Sequence, residues 1–182
     1  MKPVVIEKKT FEQALNVYLA FHGTKNQWEI QNLKEANKKF SNWVLARIPI
    51  EDVGEIVMPY HHYNACAGLN DTDNYVIIPP EGLTLTDAYA RFLKHKEEHK
   101  QKAPICYAKI MHHKNTQETT PFFLSQEPLF TDAAYENLHK HKGKITHLDG
   151  LHRLIALMDS EQKPAYINAF IALSPQGSDC FK

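Results

Sequence analysis

Over residues 144–158 the chain changes hydrophobic period with no linker between. Ile145, His147 and the residues around them make a short strand pattern, Asp149-Gly150 is a turn pair, and Leu151, Leu154, Ile155 and Met158 then recur at helical spacing. A strand that passes straight into an amphipathic helix has to bury one face of that helix against a sheet, so this stretch fixes the class as α/β. The rest of the chain is read around it. Thr10 followed by Phe11, Leu15, Tyr18, Leu19 and Gly23 predicts an N-capped helix that stops at a glycine. Residues 26–40 predict a second, with Ile30, Leu33 and Phe40 inward and Lys34, Lys38 and Lys39 in water. Residues 1–42 are therefore expected to form an all-helical N-terminal extension.

Residues 43–50 are β-branched and broken by Pro49, the pattern of an edge or terminal strand. Residues 58–80 are rich in Asn, Asp, Gly and Pro, and only 75–78 suit a strand. Thr84 or Thr86 opens a helix that buries Leu85, Ala88, Tyr89, Phe92 and Leu93, runs into the charged, solvated residues 94–102 and ends at Pro104. Residues 105–111 alternate like a strand, and 114–127 are polar, as in an exposed insertion. Thr131 opens a short helix with Tyr135 and Leu138 inward, closed by Gly143, and residues 165–173 supply the last strand. The expectation is one α/β domain over residues 43–182, a small mixed sheet with flanking helices, an insertion at about residues 112–142, and the N-terminal helical pair covering one side.

With 182 residues and 43% hydrophobic content the chain can build one sizeable core. Lys+Arg and Asp+Glu both number 21, so the basic excess of a protein that wraps bulk nucleic acid is missing. No apolar run reaches the 18 or more residues of a membrane span and the opening residues lack the apolar stretch of a secretory signal, which predicts a soluble, cytoplasmic protein. The three cysteines, Cys66, Cys106 and Cys180, include no C-x-x-C pair, and reduced thiols are expected.

Residues 147–156 carry the chemistry. A strand-to-helix junction offers free backbone N–H groups and the positive end of a helix dipole, and Gly150 allows a ligand close to the main chain. Asp149, Gly150, Leu151, His152 and Arg153 are the candidate phosphate-binding residues. Arg153 can hold two phosphate oxygens with its fork, and His152 can donate a hydrogen bond or move a proton near neutral pH. The plain alternative is that Asp149 caps the helix and Arg153 makes a surface ion pair.

Asp149-Gly150-Leu151-His152-Arg153, followed by Ala156, resembles the D-G-x-H-R-x-x-A signature of the ParB/sulfiredoxin superfamily. Ile48-Pro49-Ile50 resembles its first strand, residues 86–100 its first helix, residues 104–108 its P-I-x-V strand, and residues 164–167 its final strand, so the likeness spans roughly residues 43 to 173. The resemblance implies a nucleotide site in which Gly150, His152 and Arg153 hold phosphates, with ATP or another nucleoside triphosphate and Mg²⁺ as cofactors and phosphoryl transfer to a small hydroxylated acceptor, or hydrolysis, as the reaction. Leu151 stands where sulfiredoxin has its reactive cysteine, and nothing after Phe170 suits the DNA-binding and dimerisation parts of a ParB protein. A small-molecule kinase or nucleoside triphosphatase is what remains. The glutamate of the family's serine kinases has no match in residues 57–64, where His61 and His62 are the candidate bases, with Glu51, Asp52 and Glu55 nearby. The same fold without an acid–base residue would be a ligand-sensing or partner-binding module.

Histidine, 11 in the chain, raises a third class, a metal-dependent enzyme. His147-Leu-Asp149 has the spacing of two ligands of an iron facial triad, but no histidine after His152 supplies the third in the usual order. Neighbouring side chains on an extended chain alternate faces, so at most one residue of His61-His62 and one of His112-His113 can be a ligand. No complete metal-ligand set is legible, and the thiols read as unreactive.

Overall fold

A computed structural model describes residues 3–24, 26–62, 75–116, 120–130 and 134–175. The strands are β1 (Val4–Lys9), β2 (Asn42–Pro49), β3 (Val57–Met58), β4 (His61–His62), β5 (Val76–Ile78), β6 (Leu83–Thr84), β7 (Phe122–Ser125), β8 (Thr146–Asp149) and β9 (Tyr166–Leu173). The helices are α1 (Phe11–His22), α2 (Gln27–Phe40), α3 (Leu85–Lys94), α4 (Lys96–Lys102), α5 (Pro104–Thr116) and α6 (Leu151–Met158). Seven strands make one mixed sheet in the order β1-β2-β9-β7-β8-β3-β6, with β7–β9 and β3–β8 parallel, while β4 and β5 pair apart from it.

Period-2 alternation makes this a three-layer sandwich. From β2 and β9, Val44, Ala46, Ile48, Ile167, Ala169 and Ile171 enter one core, joined by Leu85 and Phe92 of α3, Cys106 and Ile110 of α5, and Leu154 and Ile155 of α6. Trp43 and Phe170 point the other way, toward Tyr18 of α1 and Leu33, Ala36 and Phe40 of α2. The N-terminal pair therefore covers one face, as its amphipathic stripes predict. Thr10 caps α1 with a full capping box, its hydroxyl accepting from Gln13 N while Gln13 Oε1 accepts from Thr10 N. Among the described residues no helix is long and apolar enough to cross a membrane.

Several expectations are corrected. Residues 1–42 are not an all-helical extension, because β1 precedes α1 and pairs antiparallel with β2 in the same sheet. It follows that β2 is an inner strand, flanked by β1 and β9, and Pro49 is tolerated because it is the strand's last residue. Residues 105–111 are helix, not strand. The helical stretch does end at Lys102, just before Pro104 as expected, but Pro104 then opens α5, at the position where a missing N–H is harmless, and Cys106 and Ile110, four apart, are its buried residues. The strand expected before β8 is instead β7, within what looked like an insertion over residues 112–142, and all four of its residues are buried. Within residues 94–102, Lys96–Lys102 form α4, whose His99 is buried beside Phe92 and Tyr75 rather than solvated. Thr131 lies outside the described residues; past it, Tyr135 and Leu138 are buried as expected, but on turns and a 3₁₀ helix at His139–His141 rather than an α-helix.

Candidate functional site

The sheet delivers β8 straight into α6 through Gly150, whose φ of 103° is open to glycine and strained for other residues. A Cβ there would lie 2.7 Å from Phe122 Cδ1 and 3.0 Å from Arg153 Nη2. Gly150 therefore admits a ring and a guanidinium of the protein itself, and the close approach expected of a ligand is taken internally. Gly150 is also the N-cap position, with no side-chain cap. Asp149 does not cap the helix. Its Oδ2 accepts from Arg153 Nη2 at 2.9 Å and stands 3.6 Å from His22 Nε2.

Arg153 is 6% exposed, so it is neither a surface ion pair nor an open anion hook. Besides Asp149 it donates to the Thr120 carbonyl at 2.9 Å, to the Thr120 hydroxyl, and at 3.4 Å to the Pro121 carbonyl. Its guanidinium carbon lies 4.7 Å from the centroid of the Phe122 ring. The arginine fork thus ties α6 to the start of β7, a neutralised and hydrogen-bonded buried charge.

On the α1–α2 side, Tyr18, His22 and Glu29 share electrostatics with this turn. Burial pushes the Glu29 carboxyl up to about 7, and the charge of Asp149 acts the same way. The Tyr18 phenol is raised, first by burial and then by Asp149 and Glu29. On the α5 side are histidines. His147 of β8 is 4% exposed, and neither ring nitrogen has a hydrogen-bond partner among the described residues. Burial pushes its imidazole down to about 3, aided by the charges of His61, Arg153 and His152, so it is neutral at physiological pH. His61 of β4 and His152 of α6 meet edge to face, ring centroids 5.6 Å apart, and His61 Nε2 is 3.8 Å from Cys106 Sγ.

A pocket of about 360 Å³ opens where the C-terminal half of α6 meets the ends of α5 and β9. Arg153, Thr120 and Phe122 make one wall, His113 and Lys114 another, and Lys163, Pro164 and Ile167 a third. Lys114 Nζ bonds Asp159 Oδ2 at 2.8 Å, and the Tyr89 hydroxyl donates to Oδ1 of the same carboxylate. Burial alone would raise the Asp159 carboxyl, but the bonds from Lys114 and Tyr89 hold it below its ordinary value.

The candidate residues therefore separate. Asp149, Gly150 and Arg153 form the turn and its internal clamp, Leu151 is a core residue, and Arg153 reaches the pocket wall. His61 and His152 come together away from that wall, and His62 is the other residue of the two-residue β4. Glu51 and Asp52, with Glu55, sit on the turn and 3₁₀ segment after β2 and line neither the pocket nor the histidine cluster. Cys66 and Cys180 lie outside the described residues. Sequence reasoning missed Cys106, Glu29, Lys114 and Lys163. Only the first was accessible from pattern, as a residue at helical spacing from Ile110.

No curated protein and no solved structure matches the chain. One family does, over residues 4–179, a span that takes in the sheet, both helical layers and the β8–α6 turn. The chain belongs to the family of unknown function DUF6309.

Proposed function

We propose that the chain binds a nucleoside triphosphate in the pocket beside the signature turn and transfers a phosphoryl group from it to a small hydroxylated acceptor. The observation that carries this reading is the pocket's lining: Lys163, His113 and Lys114, the last also bonded to Asp159, contribute basic groups beside the Arg153 already held by Asp149, and among the described residues no carboxylate residue lines the pocket. A cationic wall of this kind takes a polyanion, and the apolar surface of Phe122, Leu157, Pro164 and Ile167 suits the planar part of a nucleotide. The volume falls within the roughly 300–1,000 Å³ of small-molecule sites. The resemblance of Asp149 to Arg153 to a phosphate-binding signature points to the same ligand.

The lining does not fit a dedicated Mg²⁺ cage, which would need oxygen ligands from carboxylates. The chain's own part is to hold the phosphates with Lys114 and Lys163, fix the wall through the Arg153 clamp, and receive the acceptor's hydroxyl proton on His113, an imidazole in that wall. Calorimetric titration with ATP, CTP and GTP, then incubation with radiolabelled nucleotide and a panel of hydroxylated amino acids and sugars, tests the reading. Binding with transfer supports it. Binding without transfer leaves a ligand-sensing module, and no binding removes the nucleotide.

A further inference from the structure

Three side chains from distant parts of the chain converge behind the turn: His61 from β4, Cys106 from the first turn of α5 and His152 from the first turn of α6. One ligand atom from each, a ring nitrogen or the sulfur, lies within 4.8 Å of the other two. In a tetrahedral zinc site, bond lengths of about 2.0 to 2.3 Å put neighbouring nitrogen and sulfur ligands about 3.6 Å apart. The Cys106 Sγ to His61 Nε2 separation, 3.8 Å, is close to that value, and the remaining edges need to close by no more than about 1.5 Å.

We infer that His61, Cys106 and His152 form a binding site for a borderline-soft divalent cation, Zn²⁺, with one tetrahedral position left for a water or a ligand atom. Two imidazoles and a thiolate are the donor set such an ion takes, and they exclude Mg²⁺ and Ca²⁺, which require oxygen. Cys106 is fully buried and its two partners are half-buried, so the ion would be screened from bulk water on the core side and reachable from the β4 side. Cys106 also stands at the positive end of the α5 dipole, which favours an anionic ligand. His147, buried with both ring nitrogens lacking hydrogen-bond partners among the described residues, adds another polar group behind the turn. None of the three ligands lines the cationic pocket, so the site stands independently of the nucleotide reading.

The test uses the full chain without a histidine tag and Zn²⁺ or Co²⁺ alone as the probe. The expected results are close to one zinc per chain by elemental analysis and, with Co²⁺, tetrahedral visible absorption plus a thiolate charge-transfer band in the near ultraviolet. Cys106→Ser and Cys106→Ala should each abolish that band, and His61→Gln and His152→Asn should weaken Zn²⁺ binding at least tenfold. Cys66→Ser should change neither. The alanine variant keeps an apolar side chain in the core, and circular dichroism of each metal-free variant checks its fold. In the unaltered chain, zinc should raise the unfolding temperature and a chelator should reverse the rise. The inference is overturned if the unaltered chain binds no Zn²⁺ more tightly than micromolar, or if the charge-transfer band survives loss of Cys106.

Discussion

Replacing Arg153 by lysine keeps the charge and removes the fork, and the buried clamp sets what that should do. One branch of the guanidinium serves Asp149 at 2.9 Å and the Pro121 carbonyl at 3.4 Å; the other serves the carbonyl and hydroxyl of Thr120. A lysine Nζ can follow Asp149, but it cannot stand at both branches, and it loses the flat contact with the Phe122 ring. At least one charge-assisted hydrogen bond, worth about 1.5–3 kcal/mol, is lost, and part of the stacking contact with it. The expected destabilisation is about 2–4 kcal/mol, which for a chain of this size lowers the unfolding temperature by roughly 5–12 °C. Arg153→Met should be worse, about 3–5 kcal/mol, because it leaves the Asp149 carboxylate buried without its partner. Removing that charge as well, in Arg153→Met with Asp149→Asn, should recover part of the loss. Thermal unfolding followed by circular dichroism at pH 7 is sufficient. An unfolding temperature for Arg153→Lys within 1 °C of the unaltered chain would show that the guanidinium is solvated and that the clamp does not hold.

Gly150→Ala should destabilise by about 2–4 kcal/mol, since the left-handed backbone and the 2.7 Å approach to Phe122 both resist a Cβ; urea midpoints at unchanged slope measure it. Glu29→Gln should raise stability at pH 8. The native carboxyl titrates near about 7 against an ordinary 4.5, so the folded state holds its proton longer and the chain loses stability as pH rises through that window. The variant's gain, about 1–2 kcal/mol, should vanish below pH 4.5, and a gain that persists there contradicts the assignment. His99 has the opposite sign. Burial pushes its imidazole down to about 4, so stability is full above pH 6.5 and falls as pH drops toward 4 while the unfolded chain takes up the proton first. His99→Phe should flatten that acid limb, seen as a smaller change in unfolding temperature between pH 7 and pH 4.5.

What sequence alone conveys here follows from how each element is buried. The helices α1, α2 and α6 each bury one stripe and carry legible termini, so Thr10, Gly23 and the Asp149-Gly150 junction marked them. The edge strand β1 hides little, with Val4 and Ile6 both exposed, and so gives no alternation to read. Strand β7 fails for the opposite reason. It is buried on both faces, and Phe122, Phe123 and Leu124 form a continuous run within polar surroundings instead of an alternating one. Residues 105–111 fit two periods at once, and the inward pair Cys106 and Ile110 decides for the helix. The turn was legible because its parts are contiguous. That Arg153 points into the protein depends on Thr120 and Pro121, more than thirty residues away, and the His61, Cys106 and His152 cluster joins residues separated by two such distances. Neither has a local signature.

The central claim is that the basic pocket beside the turn holds a nucleoside triphosphate, and a calorimetric titration of the unaltered chain against Lys163→Ala and Lys114→Ala at fixed salt tests it most directly. Both lysines line the pocket and neither belongs to the Arg153 clamp; Lys114 also bonds Asp159 Oδ2 at 2.8 Å, so thermal unfolding of each variant accompanies the titration. The account predicts saturable binding of at least one nucleoside triphosphate by the unaltered chain, and a weakening of roughly tenfold or more in each variant, the scale of one charge-assisted phosphate contact. Equal affinity in all three proteins, or no heat with any nucleotide, would contradict it.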